Sequence, residues 1–327
     1  MSSLLTPLFK KKLIQAPLAG YSCAPFRVLA EQWGKPDFCC SEMLSAHHIF
    51  SGARQRNRYQ YKSPDEGKLC VQLAGDEAHI LAYAAQQAVS WGADLIDLNC
   101  GCPQPKIRKK NFGSRLLADS QHLYDLVAAL KAAVSVPILV KIRVDAKSGD
   151  RYNQEAAQAI EAAGANALTV HGRHWTHDYD IPVSYHDIAI IKDTVKIPVI
   201  GNGDITDTAS AKKMFSETGC DAVMIARASV GQPWLFEKIY QEMQGLIYTP
   251  PSLIEIGEVF LAHVRGLIEL EGEKVALLQT RKLGKNYARD YFDRIAFIKA
   301  MGQVNSYNDL ATLVEQNFIL KCGPCGT

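Results

Sequence analysis

One pattern occurs three times along the chain, as Gly92-Ala-Asp-Leu-Ile-Asp-Leu98, Gly164-Ala-Asn-Ala-Leu-Thr-Val170 and Gly219-Cys-Asp-Ala-Val-Met-Ile225. Each copy places a glycine after a stretch of helical character, then a polar turn residue, then a mostly apolar run of strand length. A second pattern opens two further runs with proline, at Val136-Pro-Ile-Leu-Val-Lys-Ile142 and Ile197-Pro-Val-Ile-Gly-Asn202. Proline is tolerated where a strand begins. The repeats therefore predict a series of helix–strand units.

Three more apolar runs, at 13–17, 38–43 and 69–73, bring the strand candidates to eight. They start roughly 25 to 45 residues apart, a spacing typical of parallel strands joined by crossover helices. We predict such helices at 78–91, 121–133, 153–163 and 208–217. Eight units indicate an α/β fold of the (β/α)8 TIM barrel type, whose chemistry lies at the carboxyl ends of its strands. A doubly wound open sheet is the alternative, but no G-x-G-x-x-G turn supports it.

The pattern changes after residue 245, where Pro250-Pro251 interrupts the chain. Beyond it, apolar residues recur at three- and four-residue steps, as in Leu253, Ile256, Phe260, Val264 and Leu267. Ser306 and Asp309 have the spacing of a capping box. We therefore predict a catalytic barrel over residues 1–245, followed by a small all-helical domain of about four helices over 246–327.

Composition favours a cytoplasmic protein. No apolar run approaches the ~20 residues that cross a bilayer, and the residues before Lys10 are too few for a secretory signal. Nine cysteines in such a chain indicate free thiols. The net charge is only +2, so a nucleic-acid partner would need local basic patches.

Three basic clusters are present. The first is Arg54, Arg56 and Arg58; the second is Lys106, Arg108, Lys109, Lys110 and Arg115; the third is Arg281, Lys282, Lys285 and Arg289. In the third, Arg281, Lys285 and Arg289 are expected to share one helix face. Any single cluster is usually a solvated surface, but three of them fit a large polyanionic substrate.

Polar residues follow nearly every predicted strand. They are Gln72, Asn99, Lys141, Arg143, His171, Arg173, Asn202, Asp204 and Arg227, whereas the first strand ends in Ala16-Pro-Leu-Ala-Gly20. The turns after the seventh and eighth strands, 202–204 and 226–227, occupy the usual phosphate site of a barrel, where glycine N–H groups and an arginine can bind an anion.

Lys141 lies within a strand between apolar neighbours, so a chemical role is favoured over a structural one. It could form a Schiff base, or it could remain cationic beside a flavin. His171, one strand further on, fits either role.

Cys102 lies between Gly101 and Pro103 rather than inside an apolar run. A cysteine with a pKa near ~8.5 is mostly protonated at neutral pH and can donate a proton. Cys100 and Cys102 together supply only two ligands, and no second pair has a suitable spacing, which argues against a metal site. Cys322-Gly-Pro-Cys325 has the spacing of a redox motif, but it lacks a βαβ context and is interpreted as a chain end.

These residues resemble the tRNA-dihydrouridine synthase family over about 13–283. The most specific stretch is Asp97-Leu-Asn-Cys-Gly-Cys-Pro-Gln104. Supporting motifs are Ala16-Pro-Leu-Ala-Gly20, Val140-Lys-Ile-Arg143, Thr169-Val-His-Gly-Arg173, Asn202-Gly-Asp204 and Arg281-Lys282. The resemblance implies a barrel with a helical domain, tightly bound FMN, NADPH as reductant and tRNA as substrate. The sequence itself indicates no membrane association and no obligate protein partner.

The resemblance also implies a role for each matching residue. FMN would be held by Pro17, Leu18, Ala19, Gln72, Lys141, His171, Asn202, Gly203, Asp204, Ala226 and Arg227. Asn99, Arg143 and Tyr179 would face the uracil, and Arg281 and Lys282 would contact tRNA. Specific uridines would be reduced to 5,6-dihydrouridine, with hydride passing from reduced FMN to C6 and a proton from Cys102 to C5.

The chain departs from the family pattern at three positions. Ala226 replaces a common glycine, Cys100 replaces a larger apolar residue, and Leu283 replaces a common histidine. The segment 101–113 looks closer to the eukaryotic-type branch than to the bacterial ones.

Three other functions are compatible with parts of the pattern. A flavin barrel that reduces a free pyrimidine would turn over without RNA. A Schiff-base aldolase using Lys141 would be colourless and trapped by borohydride. A non-catalytic RNA-binding protein would bind tRNA without flavin, but it would leave the polar strand ends unexplained.

Overall fold

The computed structural model describes residues 9–52, 57–144, 149–291 and 293–319. Arg54 and Arg56 of the first basic cluster, and the Cys322 and Cys325 pair, lie outside this described part.

Within these described ranges, nine short parallel strands form one closed barrel. They are β1 (Leu13–Gln15), β2 (Cys39–Cys40), β3 (Leu44–Ser45), β4 (Leu69–Ala74), β5 (Leu95–Cys100), β6 (Ile138–Val144), β7 (Ala167–His174), β8 (Val199–Asn202) and β9 (Ala222–Ile225). Their order is β2-β1-β9-β8-β7-β6-β5-β4-β3, and an additional pairing of β2 with β4 closes the ring. Both β2 and β3 pair with β4, so the two short strands together occupy one strand position of the barrel. The barrel therefore has the eight strand positions that the sequence predicts.

The prediction of one continuous strand over 38–43 was wrong. The backbone leaves the ladder after Cys40, where the Ser41 hydroxyl accepts a hydrogen bond from the Gln72 N–H at 3.0 Å and donates to the Glu42 carbonyl at 2.8 Å. Between β2 and β3, these side-chain hydrogen bonds replace the backbone hydrogen bonds of the ladder.

Helices connect the strands and surround the barrel. They are α1 (Ala24–Trp33), α2 (Ala46–Phe50), α3 (Asn57–Gln60), α4 (Ala78–Ser90), α5 (Pro105–Arg108), α6 (Ser120–Ala133), α7 (Gly149–Ala162), α8 (Tyr185–Thr194), α9 (Thr208–Thr218) and α10 (Leu235–Met243), with short 3-10 turns at Gly113–Ala118 and Arg227–Ser229. The predicted helices at 78–91, 121–133, 153–163 and 208–217 are thus confirmed, with the third beginning earlier than predicted.

The strands are buried on both faces, which explains their continuous apolar character. Outward residues pack beneath the helices, while inward residues such as Ile14, Phe38, Leu95, Leu139 and Ile200 fill the barrel floor. Toward the carboxyl ends the interior becomes polar, so the fold concentrates polar side chains at its mouth.

The C-terminal region consists of α11 (Leu253–Glu271), α12 (Glu273–Tyr287), α13 (Arg294–Met301), α14 (Tyr307–Val314) and a π-helical turn at Glu315–Ile319. Four helices were predicted, and the Ser306 capping box is confirmed, since its hydroxyl accepts from the Asp309 N–H at 3.1 Å. The predicted domain junction at 245/246 falls between α10 and α11 and stays a prediction.

The helical region packs closely against the barrel. Phe26 of α1 stacks on His263 of α11, with their ring centroids 6.0 Å apart. Gly231 has φ +74°, and a Cβ there would lie 2.5 Å from the carbonyl carbon of Asn286, so only glycine permits this approach. Within the described ranges, no helix is both long and apolar enough for a membrane crossing.

Candidate active site

One cavity of about 770 Å³ opens at the carboxyl ends of the strands. All the predicted cofactor and uracil residues line it: Pro17, Leu18, Ala19, Gln72, Asn99, Cys102, Lys141, Arg143, His171, Tyr179, Asn202, Gly203, Asp204, Ala226 and Arg227. Arg281 and Lys282 do not. Its volume lies within the range of ordinary ligand sites, about 300–1,000 Å³.

Cys102 lies on a loop that is held from two sides. Its N–H donates to the Asn99 side-chain oxygen at 2.9 Å, and its carbonyl accepts from the N–H of Ser114 at 3.1 Å. Gly113 has φ +63°, and a Cβ there would come within 2.6 Å of the Cys102 carbonyl oxygen. The loop therefore presents the thiol at a fixed place on the cavity wall.

Cys102 differs from the other cysteines of the described ranges in its exposure. It is half-buried, whereas Cys23, Cys39, Cys40, Cys70, Cys100 and Cys220 are buried. Burial raises the pKa of Cys100 well above its ordinary value. Among the described thiols, Cys102 alone is both accessible and part of the cavity.

A chain of amides runs beneath this loop. Asn99 donates to the Gln72 side-chain oxygen at 2.8 Å, and Gln72 donates to the Asp97 carboxylate at 2.7 Å. Burial raises the pKa of Asp97 to about 7, opposed by the Gln72 hydrogen bond and the Lys141 charge. Asp97 is the first residue of the most specific sequence motif, but the sequence alone predicted no role for it.

Lys141 extends from β6 toward β8, where its ammonium donates to the Asn202 side-chain oxygen at 2.9 Å. Asn202 in turn donates to the Met224 carbonyl at 2.8 Å, which fixes its amide. Burial lowers the pKa of Lys141 to about 8, although Asp97 opposes the shift. Among the described residues Asn202 alone accepts from this ammonium, so its other N–H groups can face a ligand.

His171 is neutral in this site. Burial, followed by the charges of Lys141 and Arg143, lowers the pKa of its imidazole far below the usual value. The Arg173 guanidinium lies 3.4 Å from its Nε2. Because arginine only donates, Nε2 accepts this bond, and the proton of the neutral ring lies on Nδ1.

The turn after β8 carries a cluster of charges. Gly203 has φ +121°, and a Cβ there would lie 2.3 Å from a Val183 methyl. The Asp204 carboxylate binds buried Arg173 at 2.5 Å and lies 3.7 Å from the guanidinium of Arg227. Two guanidinium groups against one carboxylate leave a positive excess that suits an anion. Arg173 was noted at a strand end but was not predicted as a site residue.

Arg227 and Tyr179 form one wall of the cavity. The Arg227 guanidinium lies 3.8 Å from the centre of the Tyr179 ring, and both side chains are more than half exposed. Ala226, which stands where the family commonly has glycine, has φ −109° and ψ −112°.

The helical region also contributes to the cavity, through Asn286 and Arg289. The Arg289 guanidinium donates to the carbonyls of Ala228 and Val230, each at 3.2 Å. The expectation that Arg289 shares a helix face with Arg281 and Lys285 was wrong, because α12 ends at Tyr287. The four-residue spacing identified Arg289 as a basic residue of interest, but it predicted the helix face of Arg281 and Lys285 instead of the cavity.

The remaining predicted basic residues divide into exposed and buried groups. Lys106, Lys109, Lys110, Arg115, Arg281 and Lys282 are exposed. Arg108 is half-buried, with its guanidinium 3.5 Å from the Trp175 ring centre. Arg58 is buried against Glu42 and Glu271, so its assignment to a polyanion-binding cluster was wrong. Lys282 lines a second cavity of about 400 Å³ between the barrel and the helical region.

Comparisons with known proteins agree with this architecture. The family model described as "Dihydrouridine synthase (Dus)" matches residues 14–321. The chain is 36% identical to tRNA-dihydrouridine synthase B of Shewanella oneidensis, over 94% of this chain and 96% of the relative. It is 33% identical to the enzyme of the same name from Escherichia coli, with the same coverage. These relatives are bacterial, whereas segment 101–113 alone looked closer to the eukaryotic-type branch.

Solved structures share the fold at low sequence identity. Morphinone reductase superposes with a TM-score of 0.52 at 13% identity, over 73% of this chain and 87% of its own. Histamine dehydrogenase from Rhizobium sp. 4-9 gives 0.54 at 14% identity, over 83% of this chain and 49% of its own. At this low sequence identity, the two similarities support the barrel fold alone.

Proposed function

Because the chain belongs to the dihydrouridine synthase family, we propose that it reduces the C5=C6 bond of specific tRNA uridines to 5,6-dihydrouridine. The reaction uses tightly bound FMN and NADPH as the reductant. The observation that carries the proposal is a half-exposed thiol, Cys102, on the wall of a cavity lined by Lys141, His171 and Asn202.

The residues of the cavity fit FMN by their chemistry. The exposed guanidinium of Arg227 and the backbone N–H groups of the turn 203–204 suit a phosphate. The Lys141 ammonium and the Gln72 amide suit the polar edge of a flavin ring. Pro17, Leu18 and Ala19 supply the apolar wall, as the resemblance implies.

FMN bound in this cavity would supply the hydride for C6 of the uracil. The Cys102 thiol donates its proton to C5, so hydride and proton together add two hydrogens across the bond. The resulting thiolate regains a proton from solvent through the open cavity mouth. Arg143, held by the His174 carbonyl at 3.0 Å, offers positive charge for the electrons that gather on the uracil oxygen. Asn99 has a second N–H and Tyr179 a hydroxyl for the base.

The substrate base leaves its stack to reach the cavity, which costs a few kcal/mol. The exposed cations around the mouth offset that cost by binding phosphates, with Lys106, Lys109 and Lys110 beside the Cys102 loop. Arg281 and Lys282 extend this surface along α12.

The test is to incubate the protein with NADPH, FMN and tRNA from a dihydrouridine-deficient strain. Digestion and mass spectrometry should reveal uridine that has gained two hydrogens. Cys102→Ala should lower the rate by about 10²- to 10⁴-fold, the usual contribution of a positioned acid. Cys100→Ala, two residues away but buried, is the matched control and should retain activity.

Each rival function has its own outcome. Turnover of free uracil without RNA would favour a free-pyrimidine reductase. Borohydride trapping at Lys141 in a colourless protein would favour an aldolase. Intact tRNA without any mass gain, although flavin is bound, would overturn the proposal.

A further inference from the structure

A carboxylate lies below the Cys102 loop, inside the barrel. Asp97 is in the middle of β5 and is 2% exposed; its neighbours Gln72 and Asn99 are 1% and 8% exposed. Gln72 and Asp97 are direct partners in the β4–β5 register, and Asn99 follows two residues along on the same face. The three side chains therefore form a buried row that ends at the loop.

The hydrogen bonds along this row all run from donor to acceptor in a fixed arrangement. An ionised carboxylate only accepts, so with Asp97 ionised Gln72 turns its NH₂ toward Asp97 and its oxygen toward Asn99. Asn99 then donates to Gln72, which leaves its own oxygen to accept from the N–H groups of Cys102 at 2.9 Å and Gly101 at 3.3 Å. A reversed amide would set donor against donor at one of these contacts, and a buried donor without an acceptor is costly.

Packing alone does not explain a carboxylate here. Leu95, two residues earlier on the same face, and Leu139 on the neighbouring strand fill the interior with apolar groups. Among the described residues, the second oxygen of Asp97 has no hydrogen-bond partner. The carboxylate is thus costly to bury, and the one hydrogen bond recorded for it in the described structure orients the amides.

We propose that Asp97 is a positioning residue for the Cys102 thiol, acting through the amides of Gln72 and Asn99. This inference rests on the proposed function, because it gives Cys102 a proton to deliver. Asp97 does not touch the substrate. Its carboxylate keeps both amides in the one orientation that accepts the backbone of the loop.

The test compares two matched variants of Asp97, one that removes the hydrogen-bond acceptor and one that keeps it. Asp97→Leu has a similar volume and no acceptor, whereas Asp97→Asn keeps an oxygen that can face Gln72. Single-turnover formation of dihydrouridine should fall about 10- to 100-fold in Asp97→Leu, as expected for a reacting group displaced by about 1 Å. It should stay within about threefold in Asp97→Asn. The KM for tRNA should not change, because the exposed lysines around the mouth are the same in both variants.

A second measurement needs no turnover. Alkylation of Cys102 by iodoacetamide, quantified on its peptide by mass spectrometry, should quicken about fivefold or more in Asp97→Leu because the loop loses its anchor. Gln72→Met breaks the same row one step further along. It should quicken alkylation equally, and the double variant should add little.

The outcomes separate the two proposals. Without dihydrouridine formation in the parent protein the proposed function fails, and the alkylation rates still decide the role of Asp97. Unchanged rates in both Asp97→Leu and Gln72→Met would overturn the inference. Equal losses in Asp97→Asn and Asp97→Leu would also overturn it, since the charge rather than the acceptor would then matter.

Discussion

Arg58 and the loop lysines Lys106, Lys109 and Lys110 belong to similar basic clusters in the sequence, but the structure separates them completely. Arg58 is 5% exposed and binds Glu42 at 2.6 Å and Glu271 at 2.5 Å. The three lysines are exposed beside the Cys102 loop. Arg58 thus ties the barrel to the helical region, while the lysines remain available to a polyanion.

The difference lies in the acidic partners. Glu42 and Glu271 are 16 and 213 residues away from Arg58, so no local window of sequence contains the whole ion network. A third residue of the network, Gln279 of α12, accepts from the same guanidinium at 2.9 Å. The function of a cation is therefore decided by distant residues that the fold brings to it.

The largest expected effect follows from breaking the buried network. Arg58→Met should lower the free energy of unfolding by about 3–5 kcal/mol, because it leaves two buried carboxylates without their counter-charge. Urea denaturation followed by circular dichroism measures the loss.

Lys109→Met is the matched control, since it removes an exposed cation and should change stability by no more than about 0.5 kcal/mol. Adding Glu42→Gln and Glu271→Gln to Arg58→Met should restore much of the loss. Equal stability of Arg58→Met and Lys109→Met would remove the distinction between the two clusters.

Regular features of the fold could be predicted because they repeat. Five of the eight predicted strands combine a glycine or proline signal with an apolar run, and the carboxyl ends of parallel strands must meet at one mouth. For this reason the sequence alone predicts that Cys102, Lys141, His171 and Asn202 surround one cavity, and all four line it.

Other features depended on single side chains or on distant contacts. The break between β2 and β3 comes from the hydrogen bonds of the Ser41 hydroxyl. Arg289 escaped its predicted helix face because α12 ends at Tyr287. Arg173 reaches Asp204 across 31 residues, and the pairing emerges only when β7 and β8 are adjacent.

Lys141 lies between buried Arg58 and the exposed loop lysines, because it is a half-buried cation that can lose its charge. Its pKa is about 8, lowered from 10.5 by burial. Below pH 8 it is cationic and suits an anionic or polar flavin edge; above pH 8 that attraction is lost. Retention of FMN should therefore fall about tenfold between pH 7 and pH 9, as measured by flavin fluorescence after ultrafiltration.

The apoprotein should show the opposite trend in stability. Between pH 8 and 10.5 the unfolded chain binds the lysine proton and the folded chain does not, so the contribution of Lys141 to stability increases as pH rises. Lys141→Met should abolish both trends. Equal FMN retention by the parent protein at pH 7 and pH 9 would contradict the role given to this charge.

The smallest expected effect concerns one exposed lysine of the loop. Lys110→Gln should weaken tRNA binding a few-fold and reduce the salt dependence of log K by about one unit, as expected for one lost phosphate contact. Stability and the single-turnover rate at saturating tRNA should stay unchanged, because in the described part of the chain no side-chain hydrogen bond or ion pair joins Lys110 to a group that positions Cys102. Lys196→Gln removes an exposed lysine that precedes β8, at the amino end of the barrel, and should leave binding intact. If both variants bind tRNA equally well, the polyanion does not cross the Cys102 loop, and exposure alone does not assign this cluster to the substrate.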